Sequence, residues 1–161
     1  MLLDGFDHVA ILTKDADRLH AFYREVFDAV VRREGVARSG EQPMLLSNIS
    51  VGPHSELSVF QITGNTEADH QTPMFGRGRI DHIALHAASL EAFETIRDRL
   101  IARRAADDFV ADFGPTLSLN FCDPDGLQCE LRVPNPDAQP GVSNPPGTPA
   151  ARYMKSAETS A

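Results

Sequence analysis

Asp7-His8-Val9-Ala10-Ile11-Leu12 returns 74 positions later as Asp81-His82-Ile83-Ala84-Leu85-His86. The same offset continues beyond both strings. Leu19, Phe22, Val26 and Phe27 align with Phe93, Ile96, Leu100 and Ile101. In each half these positions step i, i+3, i+7, i+8, which places them on one stripe of an amphipathic helix. Asp15 and Ser89 stand where an N-cap belongs, each offering a side-chain oxygen to otherwise unpaired N–H groups. The spacing therefore predicts helices over about 16–28 and 90–104.

Strand-like segments follow each helix. In the first half they run over about 29–34, 44–51 and 56–63; in the second over 109–113, 116–122 and 127–133. Leu117, Leu119 and Phe121 alternate with Thr116, Ser118 and Asn120, the period of two that a half-buried strand requires. Asp123-Pro124-Asp125-Gly126 reads as a tight turn, since proline sets φ and glycine tolerates positive φ. Each half is thus strand-helix-strand-strand-strand. The expected fold is α+β: two βαβββ modules, 1–64 and 79–133, related by a pseudo-two-fold and forming a cupped mixed sheet with the helices outside. Residues 64–79 read as a surface loop joining them.

From Pro134 onward the composition changes. This segment holds six of the eleven prolines and few large apolar groups, too little to offset the entropy of ordering it. Residues 134–161 are expected to form a flexible tail. The alternative is an arm on a neighbouring subunit, anchored by Tyr153 and Met154.

The whole chain of 161 residues suits one domain of 1–133 plus that tail. Its net charge of −8 argues against nucleic acid or an anionic membrane as partner, because both demand a basic face. The apolar runs fall far short of the roughly 20 residues that span a bilayer. The opening MLLDGFDHVA has no basic region ahead of an apolar stretch, so no signal peptide is expected. Cys122 and Cys129 are too few for a disulfide framework and read as thiols in a reducing compartment. A cytoplasmic protein that acts on a small molecule is the expectation.

Side chains alternate across a strand, so parity assigns the polar residues. With Val9, Ile11, Ile83 and Leu85 toward the helices, His8, His82 and His86 face the other way. With Cys129, Leu131 and Val133 toward the helix, Glu130 faces away. With Phe60 and Ile62 toward the helix, Gln61 also faces away, together with Val59. Under the repeat, His8, Gln61, His82 and Glu130 converge from the first and last strands of both halves. Two imidazoles, a carboxylate and an amide oxygen suit a divalent Fe, Mn, Co, Ni or Zn ion. A partly buried Glu130 needs a positive partner, and Arg132 is the structural alternative to a metal. His20, His54 and His70 read as solvated.

Residues 1–133 resemble the vicinal oxygen chelate superfamily, the glyoxalase/bleomycin resistance/dioxygenase group. The resemblance rests on the two Asp-His strings and on Asp123-Pro124-Asp125-Gly126-x-x-x-Glu130-Leu131. It implies paired βαβββ modules, a metal bound by His8, Gln61, His82 and Glu130, and a substrate chelated through adjacent oxygens. It also implies a homodimer. The ligand set is similar to that of methylmalonyl-CoA epimerases, although the stretch Met44–Ser50 lacks their glutamate base. Glyoxalase I enzymes carry a glutamate where Gln61 is aligned. The implied activity is a metal-dependent lyase, isomerase or epimerase, with Glu130 as ligand and base and His86 and Asn48 as further site residues. Two alternatives stay open. One is an extradiol-type Fe(II) dioxygenase with His86 as its acid–base group. The other is a non-catalytic, drug-binding protein like the bleomycin-resistance members.

Overall fold

The computed structural model describes residues 2, 5–39, 42–138 and 151–152. It holds two compact units, residues 1–81 with 122–127, and residues 82–121 with 128–161. Each repeats the order strand, helix, strand, strand, strand, and the fold is α+β.

The first unit contains β1 (His8–Leu12), α1 (Ala16–Phe27), β2 (Val31–Ser39), β3 (Gln42–Gly52) and β4 (Ser55–Ile62). Its sheet order is β1-β4-β3-β2. β1 and β4 are parallel, and the other pairs are antiparallel. α1 starts where the sequence places it, with the Asp15 carboxylate accepting the Arg18 N–H at 3.0 Å. Its stripe is buried: Leu19 and Val26 are inaccessible to solvent. Tyr23 packs edge-on against Phe22 and stacks on Phe27, with ring centroids 5.4 Å apart in both pairs. α1 lies on β3 and β4, where it covers Ile49, Leu57 and Val59. A bulge between Arg33 and Gly35 interrupts β2, and Gly35 takes φ +112°, a conformation glycine adopts without strain. The connection to the second unit contains a 3₁₀ turn at Glu67–Asp69.

The second unit contains β5 (Ile83–His86), α2 (Leu90–Ala102), β6 (Val110–Asp112), β7 (Thr116–Cys122) and β8 (Gln128–Pro134). Its sheet order is β5-β8-β7-β6-β9, where β9 is Ala151–Arg152. Ser89 caps α2, accepting the Ala92 N–H at 3.1 Å. Phe93 and Leu100 are buried on its inner stripe, and Leu117, Leu119, Phe121, Cys129, Leu131 and Val133 complete the core. The helix-side parity read for β8 is the observed one, and the alternating Leu117, Leu119 and Phe121 of β7 are buried.

Three expectations meet a different structure. β9 pairs antiparallel with β6, Ala111 opposite Arg152, so this short piece of the tail is strand. Tyr153 and Met154 lie outside the described residues. His20 is not solvated: it is fully buried, because its helix position turns it toward Ser47 on β3, with Nε2 2.7 Å from the hydroxyl. The parity of β4 is reversed. Ser47 and Val59 are register partners and Ser47 meets α1 through His20, so Leu57, Val59 and Gln61 face the helix. Phe60 and Ile62 occupy the face away from α1. Both faces of Leu57–Ile62 are largely apolar, which left the sequence pattern without a sign.

Candidate metal centre

In the second unit, β5 and β8 are parallel neighbours with Ala84 opposite Glu130 and His86 opposite Arg132. Register partners share a face, so His86, Glu130 and Arg132 stand together on the side away from the buried Leu131. His82 precedes β5, and its Nε2 lies 3.4 Å from Glu130 Oε2. The other carboxylate oxygen, Oε1, accepts the Ser118 hydroxyl of β7 and lies 3.5 Å from Arg132 Nε. Arg132 is held in turn by Thr116, whose Oγ1 accepts from Nη2 at 2.6 Å. The Glu130 side chain is only 14% exposed, so Ser118, Arg132 and His82 together offset its desolvation.

The donor set suits a divalent ion. Nitrogen and oxygen ligands about 2.1 Å from one ion stand roughly 3.0 Å apart at a right angle and roughly 3.4 Å apart at the tetrahedral angle. The His82–Glu130 separation falls at that spacing. Among the described residues, no group of three His, Cys, Asp or Glu side chains already stands in a ligating arrangement.

In the first unit His8 leads β1 on the face away from α1. Its Nδ1 lies 2.6 Å from Asp7 Oδ1. That contact orients the ring and leaves Nε2 as the donor, the usual part of a carboxylate behind a ligating imidazole. Gln61 stands elsewhere. Its Oε1 accepts the Ala16 N–H at 2.8 Å, which satisfies one of the free donors at the start of α1. The position on β4 that shares a face with His8 is instead Glu56, its register partner, followed by Ser58 opposite Ala10. Ser58 Oγ donates to Asn48 Oδ1 at 2.9 Å. Glu56 pairs with Arg32 of β2. Sequence reasoning missed Arg32, Glu56 and Ser58; counting alternation from the buried Val59 would have found the latter two.

The turn at 122–127 packs with the first unit. Asp125 accepts the Thr13 hydroxyl at 2.5 Å through one oxygen and Arg18 Nη2 at 2.5 Å through the other. Asp123 accepts the backbone N–H groups of Asp125 and Leu127. Burial pushes the Asp123 carboxyl up to about 6, against the pull of those N–H donors. A cavity of about 270 Å³ beside this turn, reaching β1 at Ala10 and Leu12, contains none of the four expected ligands.

The chain belongs to the glyoxalase/bleomycin resistance protein/dioxygenase superfamily, whose family model matches residues 5–131. Curated proteins supply no match. Solved structures do. A glyoxalase family protein from Bacillus cereus is 19% identical, with a TM-score of 0.62, covering 83% of this chain and 98% of its own. A glyoxylase/bleomycin resistance protein/dioxygenase domain from Frankia sp. EAN1pec is 20% identical, with a TM-score of 0.60, covering 84% and 95%. A mutant fosfomycin resistance protein, FosX, from Listeria monocytogenes was solved with Mn(II) and 1S,2S-dihydroxypropylphosphonic acid. It is 16% identical, with a TM-score of 0.50, covering 84% and 96%. At these identities the likeness is one of fold.

Proposed function

We propose that the protein is a metal-dependent enzyme of the lyase, isomerase or epimerase kind, acting on a small molecule chelated through adjacent oxygens. The proposed ligands of the divalent ion are His8, His82 and Glu130. The observation that carries the reading is the His82–Glu130 pair, 3.4 Å apart with the carboxylate braced from behind. Gln61 is left out of the set because its oxygen caps α1. The ion is Mn, Fe, Co, Ni or Zn. When bound, it supplies Lewis-acid stabilisation of negative charge on a substrate oxygen.

The protein's own groups do the rest. Ser118 and Arg132 fix Glu130 Oε1, so Oε2 is the oxygen presented. Asp7 fixes the His8 ring. In this reading the Glu130 carboxylate would take a proton from the substrate. His86, on the same face of the sheet, would return one, a division of labour that general acid–base chemistry favours. A cytoplasmic homodimer is part of the same proposal.

An Fe(II) dioxygenase reading draws on the same set, since two His and one carboxylate are the usual ligands of non-haem iron. The separating experiment is metal analysis of tag-free protein. The enzyme reading expects near one ion per chain. Occupancy below about 0.1 per chain, not restored by Fe, Mn, Co, Ni or Zn, would overturn it in favour of a metal-free binding protein. If iron is the ion found, oxygen uptake with a panel of catechols decides between dioxygenase and isomerase or lyase.

A further inference from the structure

On the face of the first sheet away from α1, two register rows are polar apart from Ala10. One is His8 and Glu56, with Ser50 opposite Glu56 on β3. The next is Ala10, Ser58, Asn48 and Arg32. Beyond them the face turns apolar, with Leu12, Phe60 and Leu46 in the following row. Arg32, on the far strand β2, does not extend along its own edge. Its guanidinium crosses β3 and pairs with Glu56 on β4. Neighbouring strands lie about 4.8 Å apart, so this cation is brought to within one strand of His8. The Arg32 side chain is still 59% exposed, whereas Glu56 is 23% exposed.

We infer that Arg32 recognises an oxyanion at the far end of the substrate, and that Glu56 is the positioning residue that holds it there. A guanidinium has five N–H donors in a rigid fork and can serve two carboxylates on different edges. Glu56 takes one edge and keeps the long side chain folded over β3, which lowers the entropy lost when an anion docks. The substrate class follows from the spacing. It is a small molecule with adjacent oxygens at one end and a carboxylate, or an oxyanion like it, a few bonds away. This inference rests on His8 being a metal ligand, as proposed above.

The test compares catechol with 3,4-dihydroxybenzoate, which share their chelating oxygens and differ by one carboxylate. Each is titrated calorimetrically, without oxygen, into protein loaded with Mn(II). The wild type should bind the acid about tenfold tighter, the size of one charge-assisted contact. Arg32→Ala should abolish that preference while Mn(II) and catechol binding stay unchanged. Arg32→Lys and Glu56→Gln should each keep part of it. A wild type with no preference, whether both compounds bind equally or neither binds, overturns the inference, as does an Arg32→Ala protein that retains the preference. Failure of the wild type to bind Mn(II) at all is a separate result and overturns the metal reading beneath it.

Discussion

The Thr13 hydroxyl donates a 2.5 Å hydrogen bond to the carboxylate of Asp125, joining the end of β1 to a turn 112 positions away. Thr13 is buried, and the Asp125 side chain is 2% exposed. Asp125→Ala would leave the hydroxyl without this acceptor and remove the Arg18 contact as well. A loss of about 2–4 kcal/mol is expected in urea denaturation. Arg18→Ala should lose under about 1 kcal/mol, because that guanidinium is 45% exposed. Equal losses in the two variants would show that the hydroxyl contributes nothing.

Asp123 sets a pH dependence of the opposite sign to a salt-bridged carboxylate. Its folded-state value of about 6 lies above its ordinary 3.8, so between these values the folded chain holds more protons than the unfolded one. Its contribution to stability therefore falls as pH rises from 3.8 to about 6, and the deficit persists above. Asp123→Asn should flatten this slope and raise stability at pH 8 by as much as about 3 kcal/mol. Denaturation at pH 4.5, 6 and 8 measures it; parallel curves for variant and wild type would count against a buried carboxylate.

His20 works in the other direction. Burial, and then the nearby Arg24 charge, lower its affinity for a proton. The unfolded chain takes up that proton near 6.5, so stability falls as pH drops below that point. Proton NMR should show the His20 ring titrating below the ordinary 6.5, and His20→Leu should remove this part of the acid sensitivity. A ring that titrates at 6.5 or above contradicts its burial.

Ser118 supports Glu130 from the side away from His82. Ser118→Ala should weaken Mn(II) binding about tenfold while leaving the fold intact, the usual range for a group one contact behind a ligand. Glu130→Gln should weaken it further. Unchanged Mn(II) affinity in both variants would remove Glu130 from the ligand set.

Gln61 is tested by two readouts at once. Gln61→Ala should cost about 1 kcal/mol of stability, as lost helix caps do, with Mn(II) affinity unchanged. A fall in metal affinity without a fall in stability would return Gln61 to the centre.

The second half was the more legible of the two. Leu117, Leu119 and Phe121 alternate with polar residues, and so do Cys129, Leu131 and Val133, so the face of Glu130 could be read directly. In β4 the run Leu57-Ser58-Val59-Phe60-Gln61-Ile62 has apolar residues at both parities. Only the helix resting on Leu57 and Val59 assigns its sides. Hence Gln61 was expected beside His8, while Glu56 and Ser58 occupy that face. His20 was missed for a similar reason: it lies beside Leu19 in α1, and the helix packs closely enough on β3 to bury it against Ser47.

Local pattern alone sets the duplicated strand-helix-strand order, both helix caps, and the face that His86 and Glu130 share. Those are local properties, written in periodicity and in a repeat at constant offset. Packing between distant segments sets the side taken by Gln61, the burial of His20, the reach of Arg32 to Glu56 and the docking of Asp125 on Thr13. Each of these depends on which surface another segment covers, and that is settled by packing between residues far apart in the chain, where no local pattern carries the information.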